Sequence, residues 1–259
     1  MLICIWCSRS EGNVTFNNKA HVIPQSLKGT LICPEVCDDC NAYFGKYDSA
    51  TKSVSVELTI KEILWPAKII LIDSLQEVGK NKNIQKADTS FFKINLNTRS
   101  ITIKPAFSIQ PIGRSNILKI FKRGIYKMFL EQIHTEDGVC HNRTFDFIKR
   151  FSRYKLEPEL PLFYARKRQF IILTSKELIK HPKLLIPNAN EKTTLFRNDK
   201  FIEFEILGHV FGICLTENFK PFVSDYLKQS TEIKRGLMYD STIEVTNLFQ
   251  IDIMLNSLK

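Results

Sequence analysis

The rhythm of apolar and polar positions changes after Trp65-Pro66. Residues 1–50 are dense in Cys, Gly, Asn and other turn formers, and their own hydrophobic core is very small. After Trp65-Pro66, apolar runs recur at 67–75 (AKIILIDSL), 91–96, 99–104, 169–174, 201–207 and 209–215. Short continuous or alternating runs of this kind predict strands. Gly208, between the last two, predicts a tight hairpin over 201–215. Residues 80–88 are polar and read as a loop.

The clearest helical pattern covers 114–133, with Ser115 or Asn116 available as its cap. Ile117, Phe121, Gly124, Ile125 and Met128 fall on one side, and Lys119, Lys122, Arg123 and Lys127 on another. The basic side reads as a solvated face or as a surface for phosphates. A second helix is expected over 143–153. These elements define an α+β chain: a small N-terminal module, residues 1–60, followed by a larger mixed α/β domain, 61–259. A segment as short as the first usually needs a metal or another staple to fold.

The cysteines supply that staple. Four of the seven form two C-x-x-C pairs, Cys4/Cys7 and Cys37/Cys40, separated by 29 residues. Two such pairs match a tetrahedral structural Zn²⁺ site, because soft thiolates at a closed tetrahedron favour zinc. Cys33, Cys140 and Cys214 lack the spacing and read as core residues, although Cys33 lies near enough in sequence to replace a ligand. His134, His141, His181 and His209 show no paired ligand spacing. From the cysteines alone, a plain zinc ribbon explains the segment.

What lies between and after the pairs changes the picture. CIWC is followed by HVIPQSLKG from His21 to Gly29, then by CDDCN and YFGKYD. In that order these elements resemble the zinc-stapled branch of the HNH endonuclease family, over roughly residues 3–50. The resemblance implies a ββα-metal module with zinc outside the catalytic centre, acting on nucleic-acid phosphodiester bonds. It makes His21 the general base, a task suited to an imidazole, which ordinarily titrates at about pH 6.5. It makes Asn41 a ligand for a catalytic Mg²⁺ or Mn²⁺. Asp48 would share Asn41's helical face, but a rise of about 10 Å leaves it the role of orienting Asn41 or a bound water.

One position departs from the family pattern. Ala20 stands where relatives carry an acidic metal ligand directly before the base. Asp48, Asp39 and Asn18 are the available substitutes; otherwise the module is a non-catalytic zinc unit that binds nucleic acid or protein. Gly45 would let a phosphate approach the helix or serves local packing, and Trp6 and Phe44 read as core.

Charge adds a partner. The net charge is +10, and residues 1–60 hold five basic against six acidic side chains, so the excess lies in the remainder. Such a balance favours a polyanion. Lys28, Lys46, Lys119, Lys122, Arg123 and Lys127, with the cluster Arg166-Lys167-Arg168, are the expected phosphate contacts, DNA the expected partner, with RNA and an oligomer left open. No apolar run approaches the roughly 18–20 residues that span a bilayer, and the start lacks the features of a secretory signal. The expectation is a soluble cytoplasmic protein.

Overall fold

The computed structural model describes residues 1–46, 54–75, 89–95, 98, 100–104, 111–167, 175–187, 194–235 and 239–255. The expected strand at 169–174, the loop at 80–88, Arg168 and Asp48 lie outside them.

A short hairpin opens the chain, with β1 (Ala20–His21) antiparallel to β2 (Ile32–Cys33) in the register Ala20↔Cys33 and His21↔Ile32. Helix α1 (Asp38–Gly45) follows, with Cys37 at its N-cap and Asp38 and Asp39 in its first turn, where acids suit the helix dipole. This is the ββα order that the motifs imply.

Helix α2 (Val56–Leu75) replaces the strand expected over 67–75 and runs through Pro66 and across the boundary expected at residue 60. Its apolar residues are buried nearly all round: Ile60, Ile63, Leu64, Ala67 and Leu71 lie at helical spacing, and Ile69 and Ile70 are buried as well. A helix covered on several sides loses its polar stripe, so its sequence reads like a buried strand.

The hairpin β3 (Phe92–Asn95) and β4 (Ser100–Ile103) forms where alternation predicts it. Helix α3 (Pro111–Asp137) is the longest element and begins earlier than its expected caps, with Pro111 in first position, where a missing N–H costs nothing. Helix α4 (Asp146–Ser152), the second expected helix, packs against it.

The larger sheet is antiparallel, in the order β6-β7-β5-β8, from β5 (Phe163–Lys167), β6 (Phe201–Ile206), β7 (His209–Cys214) and β8 (Tyr239–Glu244). The short α5 (Lys176–Lys180) precedes β6. Leu207 and Gly208, both at positive φ, make the expected tight β6–β7 turn.

Helices cover both faces of this sheet. On one, Phe121 and Phe129 of α3 meet Phe211 and Phe204, with centroids 5.7 and 5.9 Å apart. On the other, Tyr226 of α6 (Val223–Lys234) stacks on Phe201 at 4.4 Å and lies across Gly212, where any Cβ would collide with its hydroxyl. This double covering explains why β6 and β7 are buried at every position.

The basic side of α3 is a correction to the sequence reading. Lys122, Arg123 and Lys127 are only 7%, 5% and 1% exposed. Lys122 pairs with Glu159 at 3.1 Å, Arg123 donates to the Ser152 carbonyl, and Lys127 pairs with Glu131 at 2.9 Å. Only Lys119 remains partly solvated, and it lies near Glu157 and Glu159. The stripe is interior because α3 touches α2, the sheet, α4 and the N-terminal module at once.

The α2–α3 crossing depends on one glycine. A Cβ at Gly124 would lie 2.6 Å from Ile60 Cγ1 and 3.1 Å from Val56 Cγ1. Gly124→Ala should therefore destabilise the fold by about 1–3 kcal/mol, by overpacking, despite alanine's better helix propensity. A thermal melt checks this; an unchanged or raised Tm would show that the two helices can move apart freely.

Candidate nuclease site

Cys4 and Cys7 lie in the first turn of the chain, and Cys37 and Cys40 at the N-terminus of α1. Their four sulfurs lie within 4.8 Å of one another, and Cys7 Sγ is 3.7 Å from Cys37 Sγ. A zinc ion bonded at about 2.3 Å to four sulfurs sets them about 3.8 Å apart, so the residues fit the ion. A hydrogen bond from Cys40 lowers the Cys4 thiol, against burial, and the same bond raises Cys40, so the two sulfurs share one proton. Arg9 Nε donates to Cys7 Sγ and Arg153 Nε to Cys40 Sγ, each at 3.4 Å, and the Cys37 N–H donates to Cys4 Sγ. Donors of this kind offset the net negative charge of a four-thiolate site. Cys33 lies outside the cluster in β2, where burial pushes its thiol up to about 12.

Between the pairs, the segment from His21 to Gly29 folds back on β1. Pro24 enters a 3-10 turn, Gln25–Leu27; Leu27 is fully buried, and Lys28 closes the turn in the left-handed region at φ 64°. At Gly29 any Cβ would strike the Ile23 carbonyl. This close approach carries the Gly29 carbonyl to 3.0 Å from His21 Nδ1. A carbonyl only accepts, so Nδ1 holds the proton and neutral His21 keeps its lone pair on Nε2.

Asn41 lies in α1, and its Nδ2 reaches the Lys19 carbonyl at 3.5 Å, tying the helix to the strand that carries His21. Asp38 holds the loop before β1, accepting from the Thr15 hydroxyl and the Asn17 and Asn18 amides; the Thr15 bond, above all, lowers its carboxyl to about 2. Residues 4–52 match the family model of the HNH endonucleases. No curated protein and no solved structure matches the chain.

Residues 4–52, hereafter the HNH segment, are thus similar to the HNH endonucleases, and Cys4, Cys7, Cys37 and Cys40 within them form a cluster compatible with zinc. The surroundings of His21 are less well provided with metal ligands. Ala20 is buried, at 1% exposure, and among the described residues no group of three His, Cys, Asp or Glu gathers at His21. Asp39 is turned towards the knuckles by Arg9, at 2.8 Å. The described residues therefore do not assemble a carboxylate site for Mg²⁺ or Mn²⁺. Of the expected phosphate contacts, Lys28 and Lys46 are exposed on the HNH segment.

Four polar residues of α3 reach the HNH segment from one helix face. Arg123 donates to the Tyr43 hydroxyl on α1, and Lys127 to the His21 carbonyl at 2.7 Å. Glu131 accepts from Trp6 Nε1, inside the first knuckle, at 3.0 Å, and His134 meets Glu35, just before the second. Spacings of four, four and three keep these residues in one row. Sequence reasoning missed the row because each partner lies 80 or more positions away.

Glu35, His134 and His141 also converge, which their sequence spacing does not foretell. His141 Nε2 is 3.2 Å from Glu35 Oε2, and the Cys140 N–H donates to His134 Nδ1 at 3.3 Å. An N–H only donates, so Nδ1 lacks a proton and His134 presents Nε2–H to Glu35. The three therefore make a hydrogen-bonded knot, because a metal ligand would need its proton on Nδ1. Against burial, the two imidazoles hold the Glu35 carboxyl below its ordinary range.

The protein should bind one zinc ion per chain. Cys4→Ser or Cys40→Ser should remove that ion and unfold the HNH segment, since structural zinc contributes about 10–16 kcal/mol in finger peptides. Metal analysis with circular dichroism checks this; a metal-free variant with an unchanged melt would show that packing alone suffices.

Proposed function

We propose that the protein is a metal-dependent HNH endonuclease that hydrolyses DNA phosphodiester bonds. The observation that carries this reading is the His21 imidazole, held by Gly29 so that Nε2 is the basic nitrogen, within a loop closed by four cysteines. His21 Nε2 takes a proton from water as that water attacks phosphorus, and the departing 3′ oxygen leaves with its electron pair. The Gly29 carbonyl holds the ring in orientation and stabilises the imidazolium that forms. Asn41 offers the amide oxygen expected to face a divalent ion, with Asp48 assigned to orient it. Such an ion, when bound, stabilises negative charge at the phosphate.

Lys28 and Lys46 are the phosphate contacts retained on this segment. Lys119 is a weaker one, since Glu157 and Glu159 compete for its ammonium. The setting assigned to this activity is the cytoplasm, with bacterial defence or mobile-element biology as its context.

Plasmid and single-stranded DNA should be cut with Mg²⁺ or Mn²⁺ and left intact in excess chelator. His21→Ala should lower the rate by about 10²–10⁴-fold, the usual worth of a general base, with zinc content and melt unchanged. Cutting by His21→Ala at the wild-type rate would remove the assigned base.

Ala20 favours a second reading, a zinc-stabilised module that binds nucleic acid or protein without cutting. That module would show salt-sensitive binding of DNA and no cleavage with any divalent ion.

A further inference from the structure

The His21 carbonyl is held by a charge from outside the HNH segment. Lys127 Nζ lies 2.7 Å from that oxygen and 3.4 Å from the Val22 oxygen. Glu131 Oε2 at 2.9 Å and Glu57 Oε1 at 3.5 Å also face the ammonium, and the Phe44 ring centroid is 5.7 Å away. The residue is 1% exposed, so the ammonium is shielded from bulk solvent.

Two carbonyls in succession aimed at one ammonium fix the two peptide units that follow His21, 21–22 and 22–23. The His21 side chain meets Gly29 at Nδ1, a contact that forms only while the strand holds the ring 3.0 Å from that carbonyl. The ring therefore has two anchors: one local, through its own nitrogen, and one remote, through the strand that bears it.

We propose that Lys127 is a positioning residue for His21, setting from α3 the strand geometry from which the imidazole acts. The inference rests on His21 being the base. Lys127 touches neither nucleic acid nor water in this role. It acts through the backbone, and its contribution belongs to the rate of the chemical step rather than to DNA affinity. It also gives the C-terminal region a definite part in the reaction, because the ammonium comes from α3.

The test uses the full, zinc-loaded chain. Lys127→Met alone would strand Glu131 as an unpaired buried charge, so the informative variant is the double change Lys127→Met with Glu131→Gln. The amide oxygen introduced by the second change can still accept from Trp6 Nε1. With melt and zinc content retained, kcat should fall about 100-fold, the scale of a misplacement near 1 Å, while DNA Kd changes by less than about threefold. Lys127→Arg should recover part of the rate.

Nitrogen-15 spectra of the imidazoles give a readout independent of cutting. In the wild type, His21 should show one protonated, hydrogen-bonded Nδ1, and in the double variant a mixture of tautomers. A wild-type kcat, or an unchanged His21 spectrum, in the folded double variant overturns the proposal. Should His21→Ala cut like the wild type, the catalytic reading falls, and the spectrum alone decides whether Lys127 orients this side chain.

Discussion

One row of polar side chains on α3 determines how the two parts of the chain meet. Arg123, Lys127, Glu131 and His134 project from one face of α3, and each reaches a different point of the HNH segment. Burying such groups is costly unless every one is paired, so the row is stable only when the segment sits in one register. A slip of the segment along α3 would break several charged contacts at once, whereas an apolar surface would tolerate it. The thiolate pairs shape the segment internally, and the α3 row fixes where that shape is placed.

Much of the N-terminal segment was legible because its constraints are local. The C-x-x-C pairs converge through residues within the segment, and ligand chemistry is written in residue type and spacing. Gly29 is local too, though only the fold shows its role: the Ile23 carbonyl excludes any side chain there, and the same close approach brings its own carbonyl to His21. The β6–β7 hairpin was legible for the same reason, since its turn chemistry sits at Gly208.

The misread elements are those whose environment is set at long range. Residues 67–75 look like a strand because nothing in AKIILIDSL distinguishes a strand from a helix covered all round; the difference lies in α3 packed against it. Lys122, Arg123 and Lys127 look solvated because a lysine or arginine is exposed by default. Their acceptors, Glu159, the Ser152 carbonyl and the His21 carbonyl, are 37, 29 and 106 positions away. The same holds for His134 and His141, which meet Glu35 only after α3 has docked.

Ala20 has a physical consequence beyond the missing ligand. The position is buried, and β1 pairs it with Cys33 in β2. A carboxylate there would be stable only with a cation or several donors beside it, which makes the folding of an acid-bearing module depend on the ion that serves the chemistry. Alanine removes that dependence, so this hairpin folds around an apolar side chain and the thiolate pairs, whatever happens at the second metal. Any divalent ion beside His21 would in turn be held by fewer charges than one that such a carboxylate helps to bind. A hairpin of this design depends on the four gathered cysteines and on α3, through the Lys127 ammonium at the His21 carbonyl.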